Sequence, residues 1–186
     1  MTKKGKPPKV KDRWYNDHEY RHGREFTPRK LLVEPQFKLD DLYISPLAYQ
    51  RHYDDEGNRT YTPVAVDRQP TGIHIMDDLL RTLTAGRLDV SGFCKRYGIR
   101  LTDLDALVFL LTGMRGANFR QAYQLRLADD LLRYTSLTMD GVARRCGYGS
   151  RINLYYAYKR DLRTTPSKRR EQLREKGDED RYKVET

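Results

Sequence analysis

The feature that most constrains this 186-residue chain lies after residue 72, where the apolar residues take up helical spacing and keep it through residue 174. Ile75, Leu79, Leu80 and Leu83 mark one amphipathic helix ending near Gly86. Val90–Tyr97 marks a second, ending at Gly98. Thr102-Asp103 opens a third, whose apolar side runs through Leu104, Leu107, Val108 and Leu111 to Gly113. A long fourth covers about 118–134, with Phe119, Tyr123, Leu127, Leu131 and Leu132 as its stripe. A short fifth spans Met139–Cys146, a sixth Ser150–Leu162, and a seventh starts after Pro166. Recurrence at three and four residues gives each helix one stripe to bury and one face to leave in water. The spacing predicts a mainly α domain of about seven short helices.

Residues 1–70 read differently. Residues 1–30 lack periodicity and are rich in Lys, Pro and Gly, so a basic disordered tail is expected. Trp14, Tyr15, Tyr20 and Phe26 lie between its charges, suited to base stacking, to docking on the body, or to no specific role. Residues 31–70 form an irregular extension. In it Tyr49, Arg51 and Tyr53 alternate with polar residues ahead of Asp54-Asp55-Glu56-Gly57-Asn58, which predicts a small β-hairpin around Gly57. The helical domain is expected over 71–174, with a charged flexible tail at 175–186.

Charge narrows the partner. Lys and Arg total 36 against 26 Asp and Glu, a net +10. Residues 1–30 hold ten basic and four acidic residues, residues 31–143 thirteen and fifteen, residues 144–174 ten and two, and residues 175–186 three and five. An excess of eight positive charges inside a patterned region points to a polyanion. No apolar run approaches the ~20 residues needed to cross a bilayer, and the N-terminus shows no secretory signal, so a cytoplasmic protein without a membrane partner is expected. The two cysteines, Cys94 and Cys146, sit in apolar helical patterns and read as buried thiols, with one long-range disulfide as the alternative.

Two helix–turn–helix units are legible. Val90–Tyr97, Gly98-Ile99-Arg100-Leu101 and the helix from Thr102 form the first. Met139–Cys146, Gly147-Tyr148-Gly149 and the helix from Ser150 form the second. The long fourth helix links them. Here the chain resembles the arabinose-regulator (AraC/XylS) family of bacterial transcription factors. Val142-Ala143-Arg144-Arg145-Cys146-Gly147-Tyr148, Leu154, Tyr158-Lys159-Arg160 and Thr165-Pro166-Ser167-Lys168-Arg169 fall at the spacings of its second unit. Ala128, Leu131-Leu132 and Thr135 match its linker helix, and Gly98-Ile99, Leu104 and Thr112-Gly113 its first unit. The resemblance covers roughly 75–174. It implies a tandem helix–turn–helix domain in which each unit places one helix in the DNA major groove.

Residue by residue, Leu154 and Tyr158 facing the core put Ile152, Asn153, Tyr156 and Lys159 on the outer side of the sixth helix. Ser150 is placed as N-cap. Arg151 in the first turn suits guanine, Asn153 adenine, and Ile152 a thymine methyl. Ser150, Arg151, Ile152, Asn153 and Tyr156 are therefore the expected base-reading set, with Tyr156 also suited to a phosphate. Lys159, Arg160, Lys168, Arg169 and Arg170 are the expected phosphate contacts. In the first unit the outer face carries Thr102, Ala106, Phe109 and Leu110, with Asp103 and Asp105 beside them. The family usually has Lys or Arg near Phe109. Two readings stand. The face is covered by residues 31–70 or by a partner chain, a second copy included, through Phe109 and Leu110. Alternatively it touches DNA sparsely through Arg100, Thr102 and Ala106.

His18-Glu19-Tyr20-Arg21-His22 matches the zinc motif H-E-x-x-H, but it sits in a charged tail with Gly23 next and no apolar face, so no metal or other cofactor is expected. Asp77-Asp78 and Asp129-Asp130 read as solvated helix faces rather than a catalytic pair. No enzymatic chemistry is suggested. The expected function is a sequence-specific double-stranded DNA-binding transcriptional regulator. The alternative is an architectural or recombination accessory DNA-binding protein of a mobile element.

Overall fold

A computed structural model describes residues 35–184, which lie within the unit Pro35–Thr186. The expectations for residues 1–30, the His18–His22 motif included, fall outside the described residues. The helices are α1 (His74–Thr84), α2 (Val90–Tyr97), α3 (Leu101–Thr112), α4 (Gly116–Tyr134), α5 (Met139–Arg145), α6 (Arg151–Asp161) and α7 (Pro166–Leu173). Strands β1 (Leu47–Tyr53) and β2 (Arg59–Pro63) form the hairpin, and β3 (Tyr182–Val184) joins them in an antiparallel sheet of order β2-β1-β3. Asp54 makes the hairpin turn, its Oδ1 accepting from the Asn58 and Glu56 N–H groups at 2.7 and 3.1 Å, while Gly57 supplies φ +81°.

The core is built around α4. Its Phe119, Tyr123, Leu127, Ala128, Leu131 and Leu132 are buried against α1, α3, α5 and α7. The Tyr123 hydroxyl accepts from the Ile44 N–H at 3.0 Å and bonds Thr84 Oγ1 at 2.8 Å, so one phenol fastens the 35–46 segment and α1 to α4. Cys94 and Cys146 are both buried and both free.

Two expectations are corrected here. Residues 175–184 are not a free tail. The Arg51 guanidinium donates to the Glu179 and Gly177 carbonyls at 2.8 and 2.9 Å, and Asp178, 3% exposed, accepts from Arg133 Nε at 2.7 Å. Burial alone would raise the Asp178 carboxyl, but its bonds to Arg133 and to the Glu175 N–H hold it below its ordinary value. The segment's carboxylates are thus matched to partners in other elements and within the segment, which composition does not reveal. The Asp pairs are not solvated faces either. Asp77 is buried and accepts from the Thr71 N–H and Oγ1 at 3.0 and 2.7 Å. Asp78 accepts from Tyr97, and Asp130 from the Tyr43 hydroxyl at 2.7 Å. Adjacent helical carboxylates point about 100° apart, so each reaches a different neighbouring element.

The loop after α1 meets the second unit backbone to backbone at Gly86 and Gly147. A Cβ on Gly86 (φ +66°) would sit 2.2 Å from the Arg145 carbonyl oxygen, whereas one on Gly98 (φ +63°) would meet nothing within 4 Å. Gly98→Ala is therefore expected to cost about 1 kcal/mol from its left-handed backbone alone. Gly86→Ala should cost well beyond that, because the α5 backbone must also move; paired thermal or urea melts check the order.

Candidate nucleic-acid interface

In the second unit, Thr138 caps α5 through a bond from the Gly141 N–H at 3.1 Å. The chain then reverses through Gly147 (φ +76°) and Gly149 (φ +74°), closed by the Tyr148 N–H on the Ala143 carbonyl at 2.8 Å. Ser150 caps α6, its Oγ accepting from the Asn153 N–H at 3.3 Å. Leu154, Ala157 and Tyr158 face inward. Arg151, Ile152, Asn153, Tyr155, Tyr156, Lys159 and Arg160 are exposed, with Ile152 at 60% and Tyr156 at 66%.

What holds α6 in place is a carboxylate on α4. Asp129 accepts from the Tyr158 hydroxyl at 2.8 Å, and the Arg169 guanidinium of α7 forks onto it at 3.1 and 2.6 Å. The shared acceptor ties α4, α6 and α7 together. Its hydrogen bond raises the Arg169 pKa, and burial, followed by the Asp129 charge, raises that of Tyr158. Arg170 donates to the Leu137 carbonyl at 2.5 Å, and Arg174 to those of Leu132 and Thr135 at 3.2 and 2.5 Å, near the end of α4 where carbonyls lack helical partners. Arg169 and Arg170, expected on phosphates, thus point into the protein.

Arg160 is also engaged, forked onto Asp161 at 2.8 and 2.9 Å, and Arg144 pairs with Asp140. Arg151, Lys159, Arg163 and Lys168 are exposed and form no ion pair among the described residues. Asn153 Nδ2 donates to the Tyr148 carbonyl at 2.9 Å, so that amide braces the turn. One residue the sequence reading passed over belongs to the same surface. Tyr155 packs edge-on against Tyr156 with ring centroids 5.7 Å apart, and Lys159 Nζ lies 5.8 Å from its ring. Its signal was its place between two outward positions of the wheel. Arg151, Ile152, Tyr155 and Tyr156 line an open groove of about 600 Å³ with Met139 and the Thr165–Ser167 start of α7.

The first unit is built alike and decorated differently. Gly98 (φ +63°) makes the turn, and the Asp103 carboxylate accepts from the Arg100 N–H at 3.0 Å and from its guanidinium at 3.1 Å. The Arg100 hydrogen bonds hold Asp103 below its ordinary value. Asp105 accepts from the Gly116 N–H at 2.6 Å, serving the start of α4. Thr102, Ala106, Phe109 (40% exposed) and Leu110 (71% exposed) face out. The Phe37 N–H bonds the Leu111 carbonyl at 3.1 Å, yet the described part of 31–70 leaves Leu110 uncovered.

Two helix–turn–helix units on a shared linker helix define a tandem helix–turn–helix domain. Residues 93–172 match the family model described as a helix-turn-helix domain. Among solved structures, the fold is shared with the C-terminal domain of AraT, a response regulator from Geobacillus stearothermophilus. That likeness has a TM-score of 0.50 at 15% identity and covers 56% of this chain and 86% of that one. The DNA-binding domain of AdpA, a global transcriptional factor solved with a target DNA, gives 0.47 at 24% identity, covering 53% and 88%. The C-terminal domain of the response regulator yesN from Fusobacterium nucleatum gives 0.47 at 16%, covering 52% and 94%. Comparison with curated proteins finds no match. Among the described residues no helix is long and apolar enough to cross a membrane, and no group of three or more His, Cys, Asp or Glu side chains is placed to hold a metal ion.

Two outcomes are expected from the anchoring. Asp129→Ala removes the acceptor shared by Tyr158 and Arg169 and should cost about 2–3 kcal/mol in denaturant melts. The Tyr148 hydroxyl is buried without a hydrogen-bond partner among the described residues, so Tyr148→Phe should raise stability by about 1 kcal/mol in the same assay.

Proposed function

We propose that the chain is a sequence-specific double-stranded DNA-binding transcriptional regulator that acts by binding rather than by chemistry, in the bacterial cytoplasm. One observation supports this above the others. α6 is a capped second helix of a helix–turn–helix unit, locked from behind by Asp129, and it turns Arg151, Ile152, Tyr155 and Tyr156 outward beside exposed cations. A structural helix has no use for exposed isoleucine and tyrosine in that company, whereas a groove offers them thymine methyls and sugar edges.

The roles divide by chemistry. Arg151 in the first turn carries two parallel donors that match guanine O6 and N7, and Ile152 suits a methyl group. Tyr156 and the stem of Lys159 lie farther along the groove wall. Lys159, Arg163 and Lys168 supply the phosphate contacts that fix register and make binding salt-dependent. Asn153 contributes mainly by bracing the turn, because its amide donor is already engaged with Tyr148. Arg160 remains 53% exposed despite its pair with Asp161 and reaches a phosphate by exchanging partners.

Selection of bound duplexes from a random pool tests the reading. One preferred site is expected, and Arg151→Ala should relax one base position by about 1–3 kcal/mol while leaving the others. Enrichment of bent or flexible duplexes without a fixed site would favour the architectural alternative instead.

A further inference from the structure

The outward face of α3 lies apart from the residues that α6 turns outward. It presents Thr102, Ala106, Phe109 and Leu110, spaced so that Ala106 lies at the centre of the stripe. Its charges are spent locally, since Asp103 is closed on Arg100 and Asp105 caps α4. The face therefore carries no amide, imidazole or unpaired charge to meet a base edge, and nothing unpaired to repel a phosphate.

Resting on the DNA-binding reading above, in which the second helix of each unit enters the major groove, we propose that α3 selects thymine through its 5-methyl group, using Thr102, Ala106, Phe109 and Leu110 as apolar contacts. The thymine methyl is the one apolar group a base pair shows in that groove, and Ala, the Thr methyl and Phe are the side chains that meet it. α3 is the second helix of its unit, the position that enters the groove in helix–turn–helix proteins. The small Ala106 side chain lets the helix approach closely, with bulk on both sides of it.

Spacing agrees. At 19 residues, α4 is about 28 Å long. The duplex repeats every ~34 Å, so units at the two ends of such a linker suit successive major grooves. A protein partner fits the face less well. Three apolar side chains and a threonine fall far short of the ~20–30 residues a side that stable protein interfaces bury.

The test uses the full chain and the duplex that selection yields, with each thymine replaced in turn by deoxyuridine, which lacks only the methyl. In the half of the site indifferent to Arg151→Ala, replacement should weaken binding about fourfold per methyl lost. Leu110→Ser and the conservative Thr102→Ser, each checked for an unchanged melt, should weaken the intact site and make individual positions in that half indifferent to deoxyuridine. A duplex bound selectively and dependent on Arg151, yet indifferent to deoxyuridine throughout that half, overturns this inference and leaves the reading of α6 standing. So does methyl dependence that survives both variants. If Leu110→Ser instead turns a dimer into a monomer in sedimentation without changing methyl dependence, the face is a contact between chains and the inference falls. Failure to select any duplex removes both readings.

Discussion

Asp129 is the acceptor on which the outward surface depends. An eleven-residue helix with three buried side chains has little packing of its own, and α6 would otherwise be held only by its turn and by Leu154, Ala157 and Tyr158. The Tyr158 hydroxyl and the Arg169 fork both end on that carboxylate, so α6 and α7 are oriented by one group fixed on the central helix. The neighbouring residues extend the arrangement. Asp130 takes the Tyr43 hydroxyl, and burial raises its carboxyl pKa. Arg133 takes Asp178. Within five positions α4 fixes the second unit, the segment before β1 and the segment before β3. Positions 129 and 133 share one side of the helix, and 130 faces roughly 100° away, which is why one short stretch serves three neighbours.

The basic excess of residues 144–174 acquires a second meaning in this light. Arg169, Arg170 and Arg174 are internal fasteners, each meeting a carboxylate or carbonyls associated with α4. Arginine suits this work because its planar group donates several bonds at once and stays charged when partly buried. A smaller set remains on the outside, grouped around α6 and the start of α7. The surface is thus less a field of charge than a short aromatic and aliphatic strip with cations at its borders.

Most of the fold was legible in the sequence, because amphipathic spacing and turn glycines are local signals. The seven helices, the positive φ at Gly86, Gly98, Gly113, Gly147 and Gly149, and the hairpin at Gly57 follow from residues within a few positions of each other. The features missed are long-range pairs. Nothing near Asp129 or Asp130 in the chain announces Arg169 or Tyr43 as its partner, so adjacent carboxylates looked like solvent-facing ones. The strand at Tyr182–Val184 was hidden for the same reason, since three residues gain strand character only from β1. For the site, the exposure of Arg151, Ile152 and Tyr156 could be read from the wheel. The inward turn of Arg169 and Arg170, and the bracing role of Asn153, depended on where carbonyls and carboxylates of other elements lie.

The pairing of β1 with β3 sets an order of assembly. Leu47 and Val184 are register partners, so this ladder closes a loop that contains all seven helices. In an open chain that closure is entropically costly, but a folded helical body brings the two ends near each other beforehand. The β1–β3 ladder must wait for the helices, and β3 is the element that can peel away first while they stay intact. The sheet thereby behaves as a latch between the segments that flank the helices, fastened after the rest and released before it.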